Sequence, residues 1–408
     1  MTEISDMDAM TAMTAQFADA ALPFSDPEGA EARATAEPMP MYVERAARCP
    51  VERLRDDFVV LLRMDDILYV NKHHDVEQAS KYLGSSRPAI PLGLDGAEHR
   101  KYRRLLDPVF TAKRVAPLAE NVRALADEMI DGFVDEGEVA AYTRWCEPLP
   151  STIFLSILGL PLADLGDFLH FKDLTLGNEF TTLPFDEAMT RREGAVVWIH
   201  EYFNRLLDER LGADDAGDDL LAWLITTEVD GERLPRADLL DILGLLMIAG
   251  LDTVAASLAC FLSYLARHPD DRRRLVAEPT LWPSTVEELL RYESPVTDGG
   301  RIALADLELP SGEHISAGSH MAISWHAANL DPDAFTDPLT VDFGRIPNPH
   351  IAFASGFHRC LGSHLARMEM HVALDAWHCR IPDYEITPGS DLAYSGNPRA
   401  PHHLSLTW

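Results

Sequence analysis

Apolar and polar positions change their period twice along this chain. Over residues 41–80, short apolar runs at 58–62 and 67–70 stand between polar turns and predict a small sheet. From about residue 98 to 292 the recurrence is helical, with examples over 117–135, 151–158, 190–212 and 236–268, and Pro148, Pro150, Gly159 and Pro161 punctuate it. A further helix is predicted to start near Ser284. After Pro295 the pattern becomes strand-like again at 301–304 and 313–315. A polar, Pro-rich stretch over 331–350 leads into a loop around Cys360 and a last helix at about 363–380. The tail to residue 408 carries turn signals and short strands. The whole predicts a mainly α protein with small β-sheets.

Composition narrows this. The chain has 408 residues, 47% of them hydrophobic, which is enough to bury a large core. No Ser/Gly-rich or Pro-rich linker and no internal repeat divides it, so a single domain over 41–408 is expected, after an acidic, Ala- and Met-rich segment 1–40 that is loosely ordered. The five cysteines are odd in number and unpaired in spacing, which argues for a reducing, cytoplasmic setting rather than a disulfide framework. No Lys or Arg precedes Arg33, so the basic start of a signal peptide is missing. The apolar stretch 239–265 is interrupted by Asp241 and Asp252 and bracketed by Pro235 and Pro269, as in a buried helix rather than a membrane span. A net charge of −31 makes nucleic acid and anionic membranes poor partners. Against it stands one basic cluster: Arg100, Lys101, Arg103, Arg104, Lys113 and Arg114.

The candidate chemistry centres on Cys360. Gly356 and Gly362 frame it, Phe353 precedes it and a helix-forming run follows. Glycines there suit unusual dihedrals or close approach to a flat ligand. A thiol at a helix N-terminus is expected to have a lowered pKa, and its thiolate is a fit axial ligand for iron. A buried structural Cys and a zinc site with His350, His358 and His364 are the other readings, the second lacking paired ligand spacing. In the helix predicted over 236–268, Ala249-Gly250-Leu251-Asp252-Thr253 places an acid and a hydroxyl in apolar surroundings. Such an acid needs solvent or a partner, and Gly250 with Thr253 could open the helix. Glu288 and Arg291, three apart on one helix, can pair.

The loop resembles the haem-binding loop of the cytochrome P-450 family: Phe353, Gly356, Cys360 and Gly362 fill its fixed positions. Ordered motifs extend the resemblance over about 96–380, and the 249–270 stretch and the tail are similar to bacterial terpene-hydroxylating members. The resemblance implies the P-450 fold, with the long central helix over haem b (iron protoporphyrin IX) and Cys360 as metal ligand. It implies that His99, Arg103, Arg301 and His358 anchor the haem propionates, and that Glu288, Arg291 and Arg345 brace the loop. Thr253 would hydrogen-bond dioxygen at the haem and Asp252 would relay protons, making both catalytic. The implied activity is hydroxylation or epoxidation of an apolar terpenoid, steroid or branched lipid by a monomeric enzyme. Its electrons would come from a separate ferredoxin and NAD(P)H-dependent reductase, docking near Arg100, Lys101, Arg104 and Arg359. Substrate contacts are expected at 83–94 (Ile90, Leu92, Leu94), 247–249 (Met247), 296–300 (Val296, with Thr297 and Asp298 as polar handles) and 392–395. A peroxide-driven peroxygenase and a gas-sensing haem protein are the alternatives. One departure is visible: Ala354 stands where many relatives carry Gly.

Overall fold

In the computed structural model, residues 26–79, 87–175, 185–212, 217–229, 231–390 and 392–408 are described. The apolar stretch of the sequence becomes one continuous helix, Arg236–Arg267, about 48 Å long at 1.5 Å per residue. Its composition and length would let it cross a membrane, but nearly every residue from Leu251 to Leu265 is buried against other protein segments, which is why it is apolar on most faces. Helices Pro148–Leu158, Leu165–Thr175, Phe185–Leu211 and Ser363–Arg380 pack around it. One core cluster joins its C-terminal half to Trp145, Trp282 and Trp377, and a second joins its N-terminal half to Phe154, Phe168 and Phe203.

A five-stranded sheet stands beside this helical body. In chain order its strands are β1 (Val51–Arg55), β2 (Phe58–Leu61), β3 (Val76–Gln78), β4 (Asp298–Ala303) and β5 (His320–Ser324). They lie in the order β1-β2-β5-β4-β3, with only the β2–β5 pair parallel. Glu385–Ile386, Ser405–Thr407 and Glu138–Ala140 form a smaller sheet, which ties the tail to the helical body.

Two expectations are corrected. The run 67–70 is not a strand: Met64–Val70 is a helix, with Asp65 and Asp66 in its first turn and Met64, Ile67 and Val70 buried on one side. The boundary at residue 40 also fails. Pro27–Arg33 and Met39–Arg48 are helices, and Asp26 caps the first by accepting from Gly29 N at 2.9 Å. Arg45 binds both Asp26 (3.0 Å) and Glu52 (2.7 Å), while Arg399 donates to the carbonyls of Thr35 and Ala36. Residues 26–40 are therefore part of the packed domain. The expectation for residues 1–25 lies outside the described residues.

Candidate functional site

The Cys360 loop is shaped by backbone before side chains. Gly356 has φ +68°, and a Cβ there would collide with the carbonyl of Asn71. Asn71 Nδ2 also donates to Ser355 Oγ at 3.0 Å, and Cys360 N donates to Phe353 O at 2.9 Å. Gly362 has a φ of −82°, so it needs no unusual dihedral, and a Cβ there would meet no protein atom within 4 Å. Ala354 adopts φ +54°, the left-handed conformation that suits the glycine of relatives better.

The supports of the loop are buried. Arg291 grips Glu288 through two bonds of 2.9 and 2.8 Å, and Arg345 Nε donates to both Glu288 oxygens at 3.1 Å. Asn348 and the Asp342 amide complete the carboxylate's partners, and Arg291 also donates to the carbonyls of Asn329 and Pro338. A second clamp was not foreseen. Glu287 accepts from Arg367 at 2.6 and 2.9 Å and lies 3.0 Å from His350 Nε2. Burial alone would raise its pKa, but these two partners outweigh it and hold it near 2. Arg367 then covers the Phe353 ring at 4.3 Å.

Cys360 is exposed as a residue, while protein atoms packed around its sulfur displace water from it. The expected lowering of its pKa is not seen. Burial pushes the thiol up, and the Gly362 N–H, Arg103, Arg367 and Arg359 only partly offset this. A cation bound at the sulfur would reverse the balance.

Four cationic candidates were expected to face the propionates. Arg301 is 3% exposed and bonds Gln78 Oε1 and the Gly300 carbonyl; among the described residues no carboxylate forms an ion pair with it. Burial lowers its pKa to about 10. His358 gives Nε2 to Asp95 at 2.9 Å, while its Nδ1 is buried without a partner. His99 is buried 4.4 Å from the His358 ring, and burial, then His358 and Arg103, lower its pKa to about 4. Arg103 is more committed: it binds Asp107 at 2.8 Å and the Arg359 carbonyl at 2.7 Å. A buried guanidinium with no carboxylate ion pair among the described residues and an orphaned imidazole nitrogen, in the same fold as the exposed residue Cys360, fit a ligand with acidic arms and a metal centre. The zinc alternative finds no support: among the described residues, the ligand atoms that come within reach of one metal ion are those of His73, His74 and Asp75, a group that leaves out Cys360.

On the central helix, Thr253 Oγ1 donates to Ala249 O at 3.1 Å, yet the helix runs on unbroken. Gly250 serves packing instead, since a Cβ would come within 2.6 Å of the Phe154 ring. Thr253 is only half-buried, whereas Asp252 is fully buried and partnered. Tyr142 OH donates to Asp252 Oδ1 at 3.3 Å, and Lys172 Nζ lies 3.6 Å away beside Glu147. Tyr142, Glu147 and Lys172 were missed in the sequence; the one trace was a lysine on the apolar face marked by Phe168, Phe171 and Thr175.

The expected polar handles are spoken for. Thr297 Oγ1 donates to Asp298, whose carboxylate also takes Arg33 at 3.0 Å and Asn397. Ile90 and Met247 lie in one apolar cluster, and the start of the expected 83–94 contact loop, through residue 86, is outside the described residues.

Comparison with known proteins gives these features a common setting. The family model described as Cytochrome P450 matches residues 163–377. Pentalenic acid synthase of Streptomyces avermitilis is 34% identical over 308 residues, 75% of this chain and 74% of that one. The methyl-branched lipid omega-hydroxylase of Mycobacterium tuberculosis is 30% identical, over 85% of this chain and 83% of its own. Among solved structures, the bottromycin biosynthetic protein SalCYP superposes with a TM-score of 0.78 at 31% identity, covering 91% of this chain and 92% of that one. CYP109E1 from Bacillus megaterium, solved with corticosterone, superposes with a TM-score of 0.80 at 25% identity, covering 91% and 98%.

Proposed function

The chain belongs to the cytochrome P450 family and is a monooxygenase; on that premise we propose that it hydroxylates or epoxidises an apolar terpenoid, steroid or branched lipid. The reading rests on one observation above all: the exposed residue Cys360 belongs to the same fold as the buried guanidinium of Arg301, with which no carboxylate forms an ion pair among the described residues. Haem b fits both. Cys360 would ligate the iron, while Arg301, His358 and His99, with Arg103 beside the loop, would hold the propionates. Bound haem supplies dioxygen-activating redox chemistry, which an electron-rich thiolate ligand favours.

The other residues place and move protons. Thr253 keeps its hydroxyl proton on Ala249 O, so the oxygen's lone pairs stay available as acceptors. Asp252, the preceding residue, delivers protons to that side of the helix. Glu288, Arg291 and Arg345 take no chemical part; they hold the loop that carries Cys360. The relatives' names, a pentalenic acid synthase and a methyl-branched lipid omega-hydroxylase, and the steroid held by CYP109E1 support an apolar substrate. So does the engagement of Thr297 and Asp298 by other residues, while the apolar candidates Ile90 and Met247 share one core cluster. The electron donor is a ferredoxin served by an NAD(P)H-dependent reductase, and the enzyme works as a cytoplasmic monomer.

The test is the absorption spectrum of the reduced, carbon monoxide-bound protein. A Soret band far to the red reports the Cys360 thiolate, and Cys360→Ser abolishes it. A band where His-ligated haem proteins absorb would sink the assignment. Turnover with ferredoxin and NAD(P)H, rather than with peroxide alone, separates a monooxygenase from a peroxygenase.

A further inference from the structure

Three carboxylates converge on one buried ammonium beside the central helix. Lys172 Nζ lies 2.5 Å from Glu147 Oε1, 2.9 Å from Asp173 Oδ1 and 3.6 Å from Asp252 Oδ1. The side chains of Lys172 and Asp252 are each 1% exposed, that of Glu147 12% and that of Asp173 44%. Ionisable groups therefore lead from the surface at Asp173 to the residue next to Thr253. The rest of the enclosure is Tyr142, which donates to Asp252 and lies under the ammonium at 5.7 Å, Cys146, and His402, whose ring meets Tyr142 edge-on at 4.7 Å. Burial pushes the Cys146 thiol up and the His402 imidazole down, so both stay neutral. Burial also opposes charge on Lys172, but Asp252, Glu147 and Asp173 outweigh it, and the ammonium keeps its proton.

The distances rank the partners of that ammonium. Glu147, the more buried of the two nearer carboxylates, takes a short charge-assisted hydrogen bond and the half-exposed Asp173 lies at 2.9 Å, whereas Asp252 lies beyond hydrogen-bond length. This matters because an ammonium bonded to a carboxylate favours its charged form and weakens its hold on a proton. A carboxylate that must take up a proton and pass it on works best when the cation is nearby but not bonded.

We propose that Glu147 is a positioning residue: it holds Lys172 off Asp252 and so leaves Asp252 free to carry protons toward Thr253. The proposal rests on the reading of Asp252 as the proton carrier. In each cycle a proton from solvent binds an Asp252 carboxylate oxygen and leaves toward the Thr253 side, and Lys172 exchanges none. Burial raises the pKa of Glu147, partly offset by Lys172. As pH falls, Glu147 takes a proton and loosens its hold on Lys172, which can then move to Asp252, and turnover slows.

The test compares haem-loaded wild type with Glu147→Gln, Glu147→Asp and Asp252→Asn. NADPH oxidation is followed with a plant-type [2Fe–2S] ferredoxin and its reductase, with testosterone as probe compound, in H2O and D2O across pH. Glu147→Gln is expected to slow oxidation about tenfold, within the range for an assisted proton transfer, to raise the solvent isotope effect and to flatten the acid limb of the pH profile. Its crystal structure should place Lys172 Nζ within about 3.2 Å of Asp252, a hydrogen-bonded distance. Glu147→Asp should restore part of the rate. Wild-type rates in Glu147→Gln, or Lys172 unmoved in its structure, overturn the proposal while a slow Asp252→Asn leaves the carrier reading standing. A fast Asp252→Asn removes the carrier reading itself. Equal loss of the carbon monoxide band in both Glu147 variants would mark the residue as structural and also overturn the proposal.

Discussion

A carboxyl group with an unpartnered oxygen sits in the helix that follows Cys360. Glu369 is 4% exposed, its Oε1 has no hydrogen-bond partner, and burial raises its pKa to about 8. The folded state therefore keeps a proton that the unfolded chain releases above about pH 4.5. Its stabilising effect is fully present below that pH, falls as pH rises toward 8 and changes no further beyond. The slope reaches at most about 1.4 kcal/mol per pH unit. Glu369→Gln should flatten this dependence in thermal unfolding between pH 5 and 8; an equally steep curve for the variant would show that the carboxyl is not the source. Ala354 is the opposite case, a residue that contradicts its backbone. At φ +54° an alanine costs roughly 1 kcal/mol, so the glycine-to-alanine departure visible in the sequence has a physical consequence at the loop.

Among the elements, the central helix shows how one residue type can serve a purpose other than the one its sequence suggests. Gly250 beside Thr253 predicted an opened helix, but Arg236–Arg267 is continuous. The glycine instead accommodates the Phe154 ring from the Pro148–Leu158 helix. Gly250→Ala should cost about 1–3 kcal/mol, the usual penalty of overpacking, despite alanine's better helix propensity. Adding Phe154→Leu should recover most of the loss in the thermal midpoint. A stabilised Gly250→Ala would mean that propensity, not packing, governs the position. Strand and helix were also confused over Met64–Val70, where an apolar run too short to show a period was decided by its acidic first turn and by burial. Longer periodic segments were legible as helices, as at Ser363–Arg380, though their ends moved: the segment predicted over 117–135 is Ala119–Asp131 and that over 190–212 is Phe185–Leu211.

Charge acts on the scale of the whole molecule. Arg100, Arg104, Lys113, Arg114 and Arg359 are exposed on a chain of net charge −31, a local inversion of sign near the Cys360 loop. If an acidic ferredoxin docks there, electron transfer should slow as ionic strength rises from about 0.05 to 0.5 M, because the screening length contracts from more than 10 Å to a few. Stopped-flow reduction of the haem protein over that range measures it. A rate independent of salt, or unaltered in Arg104→Glu, removes the basic cluster from the encounter.

The residues whose partners lie close in sequence or in a fixed motif could be read without coordinates. Phe353, Gly356, Cys360 and Gly362 identify the loop, Glu288 and Arg291 face each other because they are three apart on a helix, and the period of 236–268 makes one long buried helix. What depends on distant segments meeting could not be read. Lys172 comes to Asp252 from 80 residues away, Asp95 joins His358, and the Asn71 carbonyl explains why position 356 must be glycine. Local sequence determines propensity, period and chemistry, because these act over a few residues. Which charges are paired, and how near, is decided only when burial forces each polar group to find its partner in the tertiary fold.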